Sequence, residues 1–345
     1  MKLMVDDAVW GFNKIFSEFG EVVTLPGRDI SRESLLDCDM LIVRSRTQVN
    51  QELLEGTKIS FVGSTVAGLD HIDESYLYKN NIAFSSAQGC NANAVAEYVI
   101  SALANLAHDY CFNLAEKSLG IIGVGNVGRR LDFKAKQLGM TTLLNDPPRE
   151  EKEGADGFVS IENALSADIV SFHTPLTNNG PYPTHNLLGS QNFNLITEDT
   201  ILINAARGGI IDEAIWETIN TKANIIDCWE NEPNINRTLQ KSAYWSTPHI
   251  AGHSIDAKFM GSFMIYKELC KFTQKPMKSE VETLINRESM VIEEKTLHAT
   301  LNSIYSFKDD DEVISDISKF EDYRRNYPER LEWHHFKTQF DIPRK

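Results

Sequence analysis

The sequence predicts an α/β protein: two doubly wound parallel sheets in series, followed by a small C-terminal α+β domain. Three observations carry that expectation. Short apolar runs alternate with amphipathic segments through the first ninety residues, and the alternation restarts at Leu119. Two long helical patterns, around 92–110 and 254–272, lead out of the first series and back toward it. A chain of 345 residues is also too long for one ordinary core.

Taken in order, KLMVDD, VVTLPG, MLIVRS, ISFVGST and IAFSSA read as the strands of the first unit. The stretch ANAVAEYVISALANLAHDY follows as a long helix. GIIGVG, TTLLND, DIVSFHT, TILINAA, NIIDCWE and a short YWSTPHI then supply the strands of the second unit. IDAKFMGSFMIYKELCKF forms the second long helix, after which the chain becomes charge-dense. The domains expected are therefore 1–92 with 254–276, then 93–253, then 277–345. In the last of these, Phe320, Tyr323, Tyr327, Leu331, Trp333 and Phe336 are too many large apolar groups to leave in water.

Composition excludes several function classes. Lys plus Arg is 34 against 49 Asp plus Glu, a net charge of −15, which repels nucleic-acid backbones and anionic lipid. Five scattered cysteines without a CxxC pair read as reduced thiols of a cytoplasmic protein, and no spacing suggests a metal site. The N-terminal stretch MKLMVDDAVW lacks the uninterrupted apolar run of a signal peptide. AVAEYVISALANLA, the longest apolar helix candidate, is short and contains Glu97, so no membrane span is expected.

The stretch SLGIIGVGNVG points to a ligand. Gly123, Gly125 and Gly128 follow a strand and open an amphipathic helix, and Asp146 ends the next strand at the interval expected of a ribose-binding acid. In such a loop Gly123 permits the turn, Gly125 lets backbone approach a pyrophosphate, and Gly128 lets helix and strand pack closely. The amides that begin the helix supply the positive end of its dipole. Asp146 would accept hydrogen bonds from a ribose diol and repel a 2′-phosphate. NAD is therefore expected over NADP, with Arg149 nearby as the one opposing feature.

Downstream, Arg207 in INAARGGIID, Glu232 in DCWENEP and His249 in STPHIAGH stand at strand ends, where ligands of such sheets collect. Singly, each reads as a surface, turn or structural residue. Together they meet the needs of an alcohol oxidation beside a carboxylate: an arginine grips the acid, a histidine takes the hydroxyl proton, and a glutamate orients the ring.

With GVGNVG, NAARGGIID, DCWENEP and TPHIAG in that order, residues 1 to about 275 resemble the D-2-hydroxyacid dehydrogenases. A narrower resemblance, to a branch with a phosphorylated substrate, rests on LIVRSRTQVN, FVGSTVAGLDHID, GCNANAVAEYV, LLNDPPR, FHTPLTNNGPYPTHNLL and EDYRRNYPERLEW. The resemblance implies a flavodoxin-like substrate domain, a Rossmann NAD domain and a catalytic set of Arg207, Glu232 and His249. It implies cofactor contacts at the glycine loop, Asn126, Val127, Asp146, Thr174, Ala205, Asp227 and Gly252.

The substrate so implied is a small 2-hydroxy acid with a terminal phosphate, met by Ser45 and the flanking Arg44 and Arg46. Val66 stands where the family more often has a substrate-contacting threonine, so either Thr65 substitutes or the contact is lost. His253 stands where a tyrosine is usual, and His71 and His173 read as structural. The resemblance also implies a homodimer whose contacts include Phe320 to Phe336. Two other readings share these residues: a dehydrogenase of another 2-hydroxy acid, such as 3-phosphoglycerate or glycerate, and a non-catalytic NAD sensor.

Overall fold

Continuous apolar runs such as MLIV, buried at every position, suit strands covered on both faces, and they pair as parallel sheets. A computed structural model describes residues 1–344. The chain divides into two compact units, Met1–Asn91 with Ser254–Glu288, and Ala92–His253 with the chain from Ser289 onward.

The first unit carries β1 (Lys2–Asp6), β2 (Glu21–Leu25), β3 (Met40–Val43), β4 (Phe61–Ser64) and β5 (Ala83–Ser86). Their order is β2-β1-β3-β4-β5, all parallel, which is the flavodoxin-like arrangement. Alternate residues build separate cores on the two faces: Leu3, Val5, Met40, Ile42 and Phe61 on one, Met4, Leu41, Val43 and Val62 on the other. The helix Ile255–Thr273 covers the first face through Ile265, Tyr266 and Leu269. It lies so close that a Cβ on Gly261 would come within 2.2 Å of the Thr65 carbonyl oxygen.

The second unit carries β6 (Ser118–Ile122), β7 (Thr141–Asn145), β8 (Ile169–Phe172), β9 (Ile201–Asn204), β10 (Ala223–Ile226) and β11 (Trp245–Ser246). The parallel order β11-β10-β9-β8-β6-β7 reverses direction at β6, so the loop after β6 opens beside the switch point. Beyond β7, where a Rossmann sheet would place a further strand, none follows among the described residues; the Val159 amide donates to the Leu144 carbonyl, and the Asn145 side-chain amide to the Val159 carbonyl, both at 2.8 Å. The helix Ala92–Asp109 is buried along most of its length against the face built by Leu119, Ile121, Ile169, Ile203 and Ile225.

From Ser289 the chain adds a parallel pair, β12 (Met290–Ile292) and β13 (Phe336–Thr338), with the helices Leu297–Ile304, Lys308–Ile314 and Phe320–Arg325 between them. It grips both faces of the second unit. Leu301, Phe307, Tyr327, Trp333 and Ile342 join one core, while Ile314 and Phe320 join the other.

This changes the expectation for the C-terminal aromatic groups. Phe320 is 0 % exposed, Trp333 1 %, Tyr327 7 % and Phe336 8 %, so their apolar burial is satisfied within one chain, without a second copy. The acidic run KDDDE is likewise not a solvated face throughout. Asp310 is buried and accepts hydrogen bonds from the hydroxyls of Tyr305 (2.5 Å), Tyr323 (2.6 Å) and Tyr327 (2.8 Å). Asp311 accepts from the amide and hydroxyl of Ser246 on β11, each at 2.8 Å.

Candidate active site

The glycine loop is shaped as its spacing requires. Gly123 has φ +89°, and a Cβ there would meet the backbone of His173 and Thr174 at 2.8 Å. A Cβ on Gly128 would strike the Gly123 carbonyl oxygen at 2.2 Å, so the helix Asn126–Gln137 sits directly on the loop. Beside Gly125 the space is open, and no side chain caps the amides that begin the helix. The hydroxyl of Thr174 is enclosed without a hydrogen-bond partner. An open cradle, unspent amides and an orphaned hydroxyl fit a dinucleotide.

Asp146 is oriented by two amides, with Oδ2 accepting from Val124 at 2.8 Å and Oδ1 from Arg149 at 3.1 Å. Arg149 does not oppose NAD. Its guanidinium is held by Glu153 (Nε to Oε1, 2.9 Å) and by the Val124 carbonyl (2.6 Å), which spends the charge a 2′-phosphate would need. His173 packs beside the loop with Nε2 2.8 Å from the Ser171 hydroxyl, and desolvation brings its pKa down to about 3. Its ring is therefore neutral, and His71 packs in the first unit with Nε2 3.1 Å from the Ser64 hydroxyl.

Arg207, Glu232 and His249 follow the adjacent strands β9, β10 and β11. The side-chain amide of Asn204 donates to the carbonyls of Arg207 (2.9 Å) and Cys228 (3.2 Å), which ties the first two loops together. A Cβ on Gly208 would lie 2.0 Å from the Trp229 carbonyl oxygen, so only glycine allows this approach. His249 Nδ1 lies 2.9 and 3.0 Å from the two oxygens of Glu232, and the Trp229 amide donates to Glu232 Oε1 at 3.0 Å. Burial alone would push the Glu232 carboxyl up; His249, Arg324 and the Trp229 amide outweigh it and hold the carboxyl below its ordinary range.

His249 has φ +55°, an uncommon conformation for a non-glycine residue, and its surroundings hold it there. The buried carboxylate of Asp227 accepts from the Thr247 hydroxyl (2.7 Å) and from the amides of Ile250 (2.7 Å) and Ala251 (3.0 Å). Tyr98 donates to Thr247 at 2.7 Å, and the Trp229 indole N–H donates to the Thr247 carbonyl at 3.0 Å. Asp227, expected at the cofactor, also braces the loop that carries His249. Ala205 and Gly252 lie in the loops after β9 and β11, and His253 packs edge-on against Tyr327, 5.7 Å between ring centroids.

Sequence reasoning missed Tyr98, Thr247 and Arg324. Only Thr247 carried a signal, its place in STPHI. Cys228 Sγ also lies within 4.8 Å of a Glu232 oxygen and a His249 nitrogen, but the carboxylate and the ring are spent on each other. Burial keeps the Cys228 thiol protonated.

In the first unit, Arg44, Ser45 and Arg46 form the turn after β3, with Ser45 exposed, while Thr65 and Val66 follow the neighbouring β4. Arg44 Nη1 donates to the Ala8 carbonyl at 3.3 Å. The amide and hydroxyl of Thr65 both bond the Val43 carbonyl, at 2.9 and 3.2 Å. The Thr65 hydroxyl thus spends its proton within the fold, and Val66 is the half-buried side chain at that turn.

A nucleotide cradle at the switch point, beside an Arg/Glu/His set on adjoining loops, defines an NAD-dependent dehydrogenase of the 2-hydroxyacid class. Residues 95–251 match the family model described as D-isomer specific 2-hydroxyacid dehydrogenase, NAD binding domain. The chain is 56% identical over 99% of both lengths to erythronate-4-phosphate dehydrogenase of Ruthia magnifica subsp. Calyptogena magnifica, and it belongs to that family. A second relative of that name, from Hydrogenovibrio crunogenus, is 50% identical over 96% of this chain and 92% of its own. In fold, the chain is similar to NAD+-bound 3-phosphoglycerate dehydrogenase of Entamoeba histolytica, with TM-score 0.64, 24% identity and coverage of 83% of this chain and 99% of that one. No helix among the described residues is long and apolar enough to cross a membrane.

Proposed function

We propose that the protein oxidises 4-phospho-D-erythronate to 2-oxo-3-hydroxy-4-phosphobutanoate with NAD, a step of pyridoxal 5′-phosphate synthesis in the cytoplasm. The observation that carries the chemistry is the Glu232–His249 pair at 2.9 Å on a braced loop. His249 Nδ1 faces the carboxylate, so its other nitrogen is the one directed to the substrate and takes the proton of the 2-hydroxyl. Arg207 binds the substrate carboxylate and polarises the forming carbonyl. Glu232 orients the ring and stabilises the imidazolium. Gly125, Asn126, Val127, Asp146 and Thr174 hold the cofactor, which when bound accepts the hydride leaving C2. The phosphate takes charge-assisted hydrogen bonds from Arg44, Ser45 and Arg46.

Erythronate without its phosphate leaves those donors unpaired, and its kcat/KM should be lower by at least about 10²-fold. NADH production over 4-phosphoerythronate, erythronate, 3-phosphoglycerate and glycerate is the test. Equal rates with and without the 4-phosphate would overturn the substrate assignment.

The same reading takes the active form to be a homodimer assembled through the C-terminal segment, where Met290 (43 % exposed) and Val291 (66 % exposed) stand on β12. Light scattering on the full chain should give twice the mass of one chain at micromolar concentration. A monomer there would remove the dimer.

A further inference from the structure

The structure assigns Arg324, in the C-terminal segment, a positioning role in the reaction: we propose that it fixes the Glu232 carboxylate against His249 Nδ1. This rests on the reading of Glu232 and His249 as the orienting pair. Arg324 Nη1 lies 3.5 Å from Glu232 Oε2, the oxygen that is 2.9 Å from His249 Nδ1. Ninety-two residues separate the two in sequence.

Its surroundings hold the side chain there. Phe320, fully buried, lies under the guanidinium at 5.7 Å, and the neighbouring Tyr323 is tied to Asp310. Nε of Arg324 is enclosed with no hydrogen-bond partner. An arginine that only fastened the segment would spend its donors on backbone carbonyls. Arg237 does so with Ile314 (2.9 Å) and Ser315 (2.8 Å). Arg324 leaves a donor unspent and faces the catalytic carboxylate, an expensive placement for a mere fastening.

The consequence for proton transfer has a definite sign. A positive charge on the far side of Glu232 offsets part of the pull that its carboxylate exerts on the His249 proton. With the charge removed, imidazolium is favoured, so more alkaline solution is needed to obtain the neutral base. The other ionisable groups around the pair are Arg207, Asp227, Cys228 and Glu213. Asp227 is occupied by the amides of the His249 loop, and Cys228 is a neutral thiol. Glu213, pushed up to about 7 chiefly by burial, titrates in the same range, but it is common to all variants and cancels in their comparison.

The test follows the His249 ring by NMR titration, its signal assigned by loss in His249→Gln, together with the pH profile of kcat/KM. In Arg324→Gln the His249 midpoint and the acid limb should both move up by about 0.5–1 pH unit. NAD affinity should be unchanged, and Arg324→Lys should recover most of the shift. An unmoved midpoint in Arg324→Gln, or a lysine variant no better than glutamine, would overturn the role. Arg324→Met, which preserves the apolar stem, is read in the same way if glutamine does not fold. Wild-type protein that turns over no 2-hydroxy acid would instead count against the function proposed above, while the ring titration still reports on Arg324.

Discussion

Alanine at position 249 should lower the turnover of the oxidation by roughly 10²–10⁴-fold while leaving NAD binding intact. The His249 imidazole is the one side chain of the three suited by its chemistry to accept a hydroxyl proton. A guanidinium offers no acceptor, and the Glu232 carboxyl, held below its ordinary range, is a weak base, so neither can take over the task. The glycine cradle does not involve His249, so fluorescence titration with NADH should show an unchanged affinity. The loss should also fall mainly on kcat, because the carboxylate of the substrate is still bound by Arg207. A His249→Ala enzyme with wild-type turnover would remove the residue from the mechanism.

The second large effect concerns the anchorage of the C-terminal segment. Trp333 is 1 % exposed, and its ring lies 4.6 Å from the ammonium of Lys134, itself completely buried on the helix Asn126–Gln137. That ammonium also donates to the Pro343 carbonyl at 2.8 Å and pairs with Glu97 at 3.5 Å, and Glu97 accepts from the Trp333 amide at 3.1 Å. Burial and the neighbouring Glu332 push the Glu97 carboxyl up, with Lys134 opposing, so the cluster depends on staying closed. Trp333→Ala opens a cavity beside a buried ammonium and should cost about 3–5 kcal/mol of unfolding free energy. Urea denaturation measures it. An unchanged midpoint would mean that the segment is not integral to the second unit.

What the sequence disclosed and what it hid divide along a physical line. The strands, the two long helices and the glycine loop are local: they depend on residues a few positions apart, and SLGIIGVGNVG alone specifies the turn, the approach and the close packing. The order of Arg207, Glu232 and His249 at successive strand ends was legible for the same reason. The braces were not. Tyr98 reaches Thr247 across 149 positions, and Asn93 meets Glu332 across 239, separations that leave no periodicity behind. The C-terminal aromatic residues announced that they needed cover, but composition does not say whose surface supplies it. Asp310 looked like one member of a charged run because nothing nearby in sequence marks a carboxylate enclosed by three tyrosine hydroxyls. Thr65 is a similar case: no local pattern signals that its hydroxyl bonds the Val43 carbonyl.

The ion pair between Arg324 and Glu232 also sets an order of events during synthesis. The guanidinium is made 92 residues after the carboxylate it faces. At about 5–20 residues per second, the nascent chain carries Glu232 and His249 for roughly 5–20 s before their partner exists. The second unit meanwhile lacks Phe307, Tyr327 and Trp333 from one of its cores. A ribosome-bound intermediate halted before residue 320 would therefore hold an unfinished proton-transfer site, and the pairing of Glu232 would be complete only after the C-terminal segment has docked.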